Sequence, residues 1–120
     1  MTKLELQNRT KKFAIRVLKL ADTLLADKWD GRISNQIIRS STSVAANYRA
    51  SCRARSDKEF VAKLGVVVEE SDETLFWIEI INEAEILPGT PELEALLIEA
   101  NELTAIFVNS VKTVKNRLKN

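Results

Sequence analysis

The sequence predicts an all-α protein, built as an up-down-up-down antiparallel four-helix bundle. Three observations predict it. Apolar residues recur every three to four positions through four long stretches. Three Gly and two Pro in 120 residues are too few for a sandwich or barrel, which needs a turn roughly every ten residues. Those that exist include Gly31 and the Pro88-Gly89 pair, and they fall between the stretches. At 45% hydrophobic the chain can build one core, and its length gives a single domain over 1–120.

Each helix follows from its own residues. In helix 1, about 3–27, Leu6, Phe13, Val17, Leu20 and Leu24 share one narrow arc at about 100° per residue. The segment DKWDGR breaks that pattern, and Asp30-Gly31 is its turn signal. Helix 2, about 33–54, carries Ile33, Ile37, Val44 and Tyr48 as its stripe. Ser56 to Glu59 reads SDKE, a capping box before an apolar run. It opens helix 3, about 57–87, with Phe60, Leu64, Val67, Ser71, Leu75 and Ile78 on one face. LPGTP ends that helix, and Thr90 followed by Pro91 opens helix 4, about 91–118. Leu93, Leu96, Ala100, Leu103, Phe107, Val111 and Val114 line its inner side.

The helices own more apolar surface than one bundle covers. Helix 3 adds Val66, Phe76, Trp77, Ile80 and Ile81 beyond its core face. Helix 1 adds Ile15, Leu18 and Leu25, and helix 4 adds Leu97, Ile98 and Ile106. A helix apolar over more than its core stripe is usually covered on a second side, and such a patch left in water invites aggregation. A homo-oligomer is expected, with Val66, Phe76, Trp77, Ile80 and Ile81 as candidate interface residues.

Charge is distributed unevenly along the chain. Residues 1–56 hold 12 Lys+Arg against 4 Asp+Glu, and residues 57–111 hold 2 against 13. The last nine residues add four cations, which brings the net charge to +1. Opposite halves can pair between subunits, and head-to-tail contacts close into rings when the rotation allows. They can equally pair within one bundle.

Helix 2 is crowded with small residues and arginines in the stretch QIIRSSTSVAANYRASCRARS. Ser40, Ser41, Ala45 and Ser51 flank the stripe, where small side chains let helices approach closely. Arg32, Arg39, Arg49 and Arg53 fall within an arc of about 100°. They have two candidate partners: Glu69, Glu70, Asp72 and Glu73 of helix 3, or the phosphates of a nucleic acid. Helix 1 adds a second basic row, Arg9, Lys12, Arg16 and Lys19. These eight residues are the candidate RNA-binding set.

Composition argues against several functions. There is no His, which removes the commonest general base and metal ligand. Carboxylate di-metal sites in bundles normally use Glu-x-x-His pairs. Cys52 is the single cysteine and lies in an apolar-leaning stripe without a base. No catalytic residue, metal, cofactor or small-molecule substrate is expected, and the chain is read as non-enzymatic. The lone cysteine points to a reducing, cytoplasmic setting. No apolar run reaches the length needed to span a bilayer, and the N-terminus lacks a signal core.

At QIIRSSTSVAANYRA and EESDETLFWIEII the sequence resembles the four-helix bundle proteins first noted as products of intervening sequences in bacterial 23S ribosomal RNA. These are often labelled ribosomal proteins, and the retroelement accessory variability protein is a relative. The resemblance rests on Arg39-Ser40, Thr42-Ser43, Ala46-Asn47, Asp57 to Phe60, Lys63, Glu70, Glu73-Thr74 and Trp77. Ala50 departs from the family pattern, which has Glu there. The resemblance implies a homopentameric ring, no established enzyme activity and an association with structured RNA or a ribonucleoprotein. The competing expectation is a protein–protein scaffold whose arginines serve subunit interfaces, with no nucleic acid.

Overall fold

The computed structural model describes residues 1–24, 29 and 31–119. It contains α1 (Lys3–Asp22), α2 (Arg32–Ser51), α3 (Asp57–Glu83) and α4 (Pro91–Lys119), and no strand among the described residues. The four helices form an elongated body of 51 × 21 × 19 Å. Helix α3 packs broadly on α2 and α4, α1 packs on α2, and the α1–α4 seam is the thinnest. Along that seam Arg9 meets Glu99 and Glu102, while Arg16 meets Glu92.

The helix ends follow local chemistry. Thr2 accepts the Glu5 amide at 3.0 Å, a cap that the Thr2-x-x-Glu5 spacing encodes. Ser56 accepts the Glu59 amide at 3.1 Å, as the SDKE pattern predicts. Gly31 precedes α2 at φ 69°, where a side chain would be strained. Helix α3 stops at Glu83, four residues before the expected 87. Glu85 turns left-handed at φ 54°, and the Ile86 amide bonds back to the Ile81 carbonyl at 3.1 Å, closing the helix as a Schellman-type turn. The apolar Ile86 and Leu87 prolong the helical pattern in sequence, but they tuck against the core from beyond the turn. Helix α1 likewise ends at Asp22, and the Thr23 hydroxyl donates to the Leu20 carbonyl at 2.6 Å. The remainder of the expected helix 1, residues 25–27, lies outside the described residues.

The core runs the length of the body. Val17, Ile37, Val44, Leu64, Val67, Ile78, Leu96 and Phe107 are fully buried, each contributing about 1.5–3 kcal/mol of transfer free energy. Tyr48 and Phe107 pack with ring centroids 5.6 Å apart. The small polar residues of α2 serve packing, as their position suggests. Ser40, Ser41 and Ser51 are buried and turn their hydroxyls back to the carbonyls of Ile37, Ile38 and Tyr48. Two hydroxyl pairs cross between helices: Thr74 to Ser40 at 2.9 Å, and Ser71 with Thr104 at 2.7 Å.

Candidate functional site

The basic row of α1 divides into two. Arg9 and Arg16 turn toward α4. The Arg9 guanidinium forks onto Glu99, Nε to Oε2 at 2.8 Å and Nη2 to Oε1 at 2.6 Å, and also reaches Glu102 at 2.6 Å. Arg16 Nη2 donates to Glu92 at 2.8 Å. Lys12 and Lys19 remain exposed, with no ion pair among the described residues. The division is physical. Arg9 and Arg16 lie within about 80° of the apolar stripe, on its α4 flank, while Lys12 and Lys19 lie about 120° away, facing water.

Helix α2 divides in the same way. Arg39 leans toward α3, pairing with Glu70 at 3.0 Å and with Glu73. The Trp77 indole donates to Glu73 at 3.2 Å, and Phe76 packs edge-on against Trp77 at 5.0 Å. Much of the family-like motif is therefore a clamp between α2 and α3. Arg39, Ser40, Glu70, Glu73, Thr74 and Trp77 hold one another. Two of the four carboxylates offered for the arginines, Glu70 and Glu73, take that role.

Arg49 and Arg53 face the other way, toward α1. With Lys11 they line a groove of about 480 Å³ between α1 and α2. Its lining includes the small residues Ala14, Ala45 and Ala46 together with Ile15 and Leu18, 45% and 37% exposed. Arg32 is exposed at the start of α2. Sequence reasoning missed Lys11 as a member of this basic set. The signal was present, since Lys11 is spaced to follow Ile15 and Leu18 on α1 rather than Lys12 and Lys19.

Of the candidate interface residues, Val66 and Phe76 are exposed, 42% and 49%. Trp77 and Ile80 are half-buried. Ile81 is fully buried, which corrects its assignment to an outer surface. It sits one turn beyond Ile78, on the side of α3 from which Thr74 reaches Ser40 of α2. Ile98 of α4 is exposed as well, at 54%.

The ion pairs shift ionisation. Hydrogen bonds to Glu99, Glu92 and Glu73 raise the guanidinium pKa of Arg9, Arg16 and Arg39 respectively. The hydrogen bond from Arg16 holds the Glu92 carboxyl below its ordinary value. Burial, and then the contact with Cys52, pushes the Tyr48 hydroxyl up. Tyr48 lies on the floor of an open cleft of about 640 Å³ at one end of the body, near Leu6, Phe60 and Val114. Lys3 sits 4.7 Å from the Phe60 ring there, and Arg117 meets Asp57 at 3.4 Å. Among the described residues no group of three or more His, Cys, Asp or Glu is placed to hold a metal ion, and no helix is long and apolar enough to cross a membrane.

The sequence model for the 23S rRNA-intervening sequence protein matches residues 2–116. The chain is also similar to a protein of unknown function from the S23 ribosomal protein family of Bacteroides thetaiotaomicron VPI-5482, whose crystal structure was determined at 1.70 Å. The two share 28% identity over 93% of this chain and 99% of that one, with a TM-score of 0.82. No match is found among curated proteins.

Proposed function

Because the chain belongs to the 23S rRNA-intervening sequence protein family, we propose that it is a non-enzymatic, cytoplasmic assembly module that binds structured RNA. In this reading the helices run up-down-up-down and antiparallel, and copies assemble into a ring-shaped homo-oligomer, a pentamer. The pairing of Arg9 with Glu99 and of Arg16 with Glu92 supports opposite directions for α1 and α4, since the partner number falls as the α1 number rises.

One observation carries the RNA reading. Five of the eight candidate cations, Lys12, Lys19, Arg32, Arg49 and Arg53, are exposed with no ion pair among the described residues. Lys12, Lys19 and Arg32 stand outside the α1–α2 groove, and we assign phosphate contact to these three. Lys12 and Lys19 lie two turns apart on one side of α1, about 10 Å along the axis. A few cations per chain make a weak polyanion surface, and a ring multiplies them into a strong one. Contacts from isolated lysines and an arginine to phosphate suit recognition by shape and charge.

The test is binding of a structured RNA across a salt series. Affinity is expected to fall steeply with salt, and Lys12→Ala with Lys19→Ala is expected to reduce the slope by about one for each phosphate no longer neutralised. A flat salt response, or a slope unchanged by the two substitutions, contradicts the reading.

A further inference from the structure

Two sets of exposed side chains, opposite in sign, lie on different helices. The first is the α1–α2 groove, with Ile15 and Leu18 exposed beside Lys11, Arg49 and Arg53. The second is the outer face of α3, with Val66 and Phe76 exposed. Glu69, Asp72 and Glu79 lie within two turns of Phe76 on that helix, all exposed and in no ion pair among the described residues. In each set, exposed apolar side chains stand among three like charges.

We propose that the α1–α2 groove of one copy receives the outer face of α3 from a second copy. This inference rests on the homo-oligomeric reading and adds which two faces meet. Phe76 is placed against the small lining residues Ala14, Ala45 and Ala46. Glu69, Asp72 and Glu79 then oppose Lys11, Arg49 and Arg53. Neither face suits a copy of itself, because groove on groove sets three cations against three cations, and α3 on α3 does the same with carboxylates. The contact is therefore head-to-tail, and each copy spends one groove and one α3 face. A polyanion fits the groove less well, since Ile15 and Leu18 would gain nothing from phosphate. A helix with an apolar ridge and acidic flanks uses every feature of the groove.

Two variants test the assignment. Arg49→Glu with Arg53→Glu spoils the groove and leaves α3 intact. Val66→Glu with Phe76→Glu spoils α3 and leaves the groove intact. All four positions are exposed or half-buried, and circular dichroism checks that each variant keeps its helices and thermal midpoint. By light scattering at micromolar concentration, each variant alone is expected at the mass of one chain. Mixed one to one, they are expected at twice that mass and no more, since only one intact groove and one intact face remain. Variants that keep the wild-type mass, or a mixture that stays at one chain mass, overturn the assignment while leaving the homo-oligomer standing. A wild-type protein at the mass of one chain overturns both. A groove variant that keeps its assembly but no longer binds structured RNA makes the groove a phosphate site, and the proposal fails.

Discussion

Arg9 and Glu99 form a two-pronged ion pair across the thinnest seam of the bundle, at distances of 2.8 and 2.6 Å. Their side chains are 26% and 17% exposed, so the pair is partly sheltered from water and bidentate, the geometry in which Arg exceeds Lys. Arg9 is thus a seam residue and not a free cation. Arg9→Ala is expected to lower stability in urea by about 1 kcal/mol and to leave the salt slope of RNA binding unchanged. Lys12→Ala is expected to do the reverse. Equal effects of both on the salt slope would contradict this division.

How much of the fold and the site is legible in the sequence differs from residue to residue. The Ser56 cap and the Gly31 turn depend on residues close in sequence, and the core stripes are written in the spacing of apolar residues along one helix, so local pattern reports all three. The destinations of Arg9, Arg16 and Arg39 depend on where neighbouring helices lie, which one helical wheel does not contain. Angle on the wheel carries part of the answer, since Arg9 and Arg16 flank the α1 stripe while Lys12 and Lys19 oppose it. Ile81 escapes the wheel for a related reason: it stands at the margin of the α3 stripe, on the side of Thr74, and only the packing of neighbouring elements decides that this margin is covered. The end of α3 is hidden because a left-handed Glu85 carries no glycine to announce it.

Thr74 tests the clamp between α2 and α3. Its buried hydroxyl donates to Ser40 at 2.9 Å. Thr74→Val keeps the shape and removes the donor, so a decrease of about 1 kcal/mol is expected in chemical denaturation. Adding Ser40→Ala to that variant is expected to cost less than it does in wild type, because the shared bond is already gone.

Glu92 gives a dependence on pH. Its hydrogen bond from Arg16 depresses the folded pKa, so the pair stabilises the fold above the ordinary Glu range. That contribution is lost as pH falls through the depressed folded value. The effect is small, because the Glu92 side chain is 45% exposed. Carboxyl titration by NMR is expected to find the Glu92 midpoint below its ordinary value in wild type, and near that value in Arg16→Gln. An unchanged midpoint in the variant would sever the link.

Gly31 tests the entry to α2. Its φ is 69°, and an added Cβ meets nothing within 4 Å, so any cost is conformational. Gly31→Ala is expected to destabilise by about 1–2 kcal/mol, while Gly31→Asn, which tolerates this backbone, is expected to destabilise less.

The assignments of the groove, the α3 face and the exposed lysines all depend on copies of the chain covering one another. Solution mass of the wild-type protein, by light scattering or sedimentation at micromolar concentration, reads that directly. A single species at five times the 13.5 kDa chain mass is expected. A stable, non-associating species of 13.5 kDa would overturn the ring and, with it, the pairing of groove and α3.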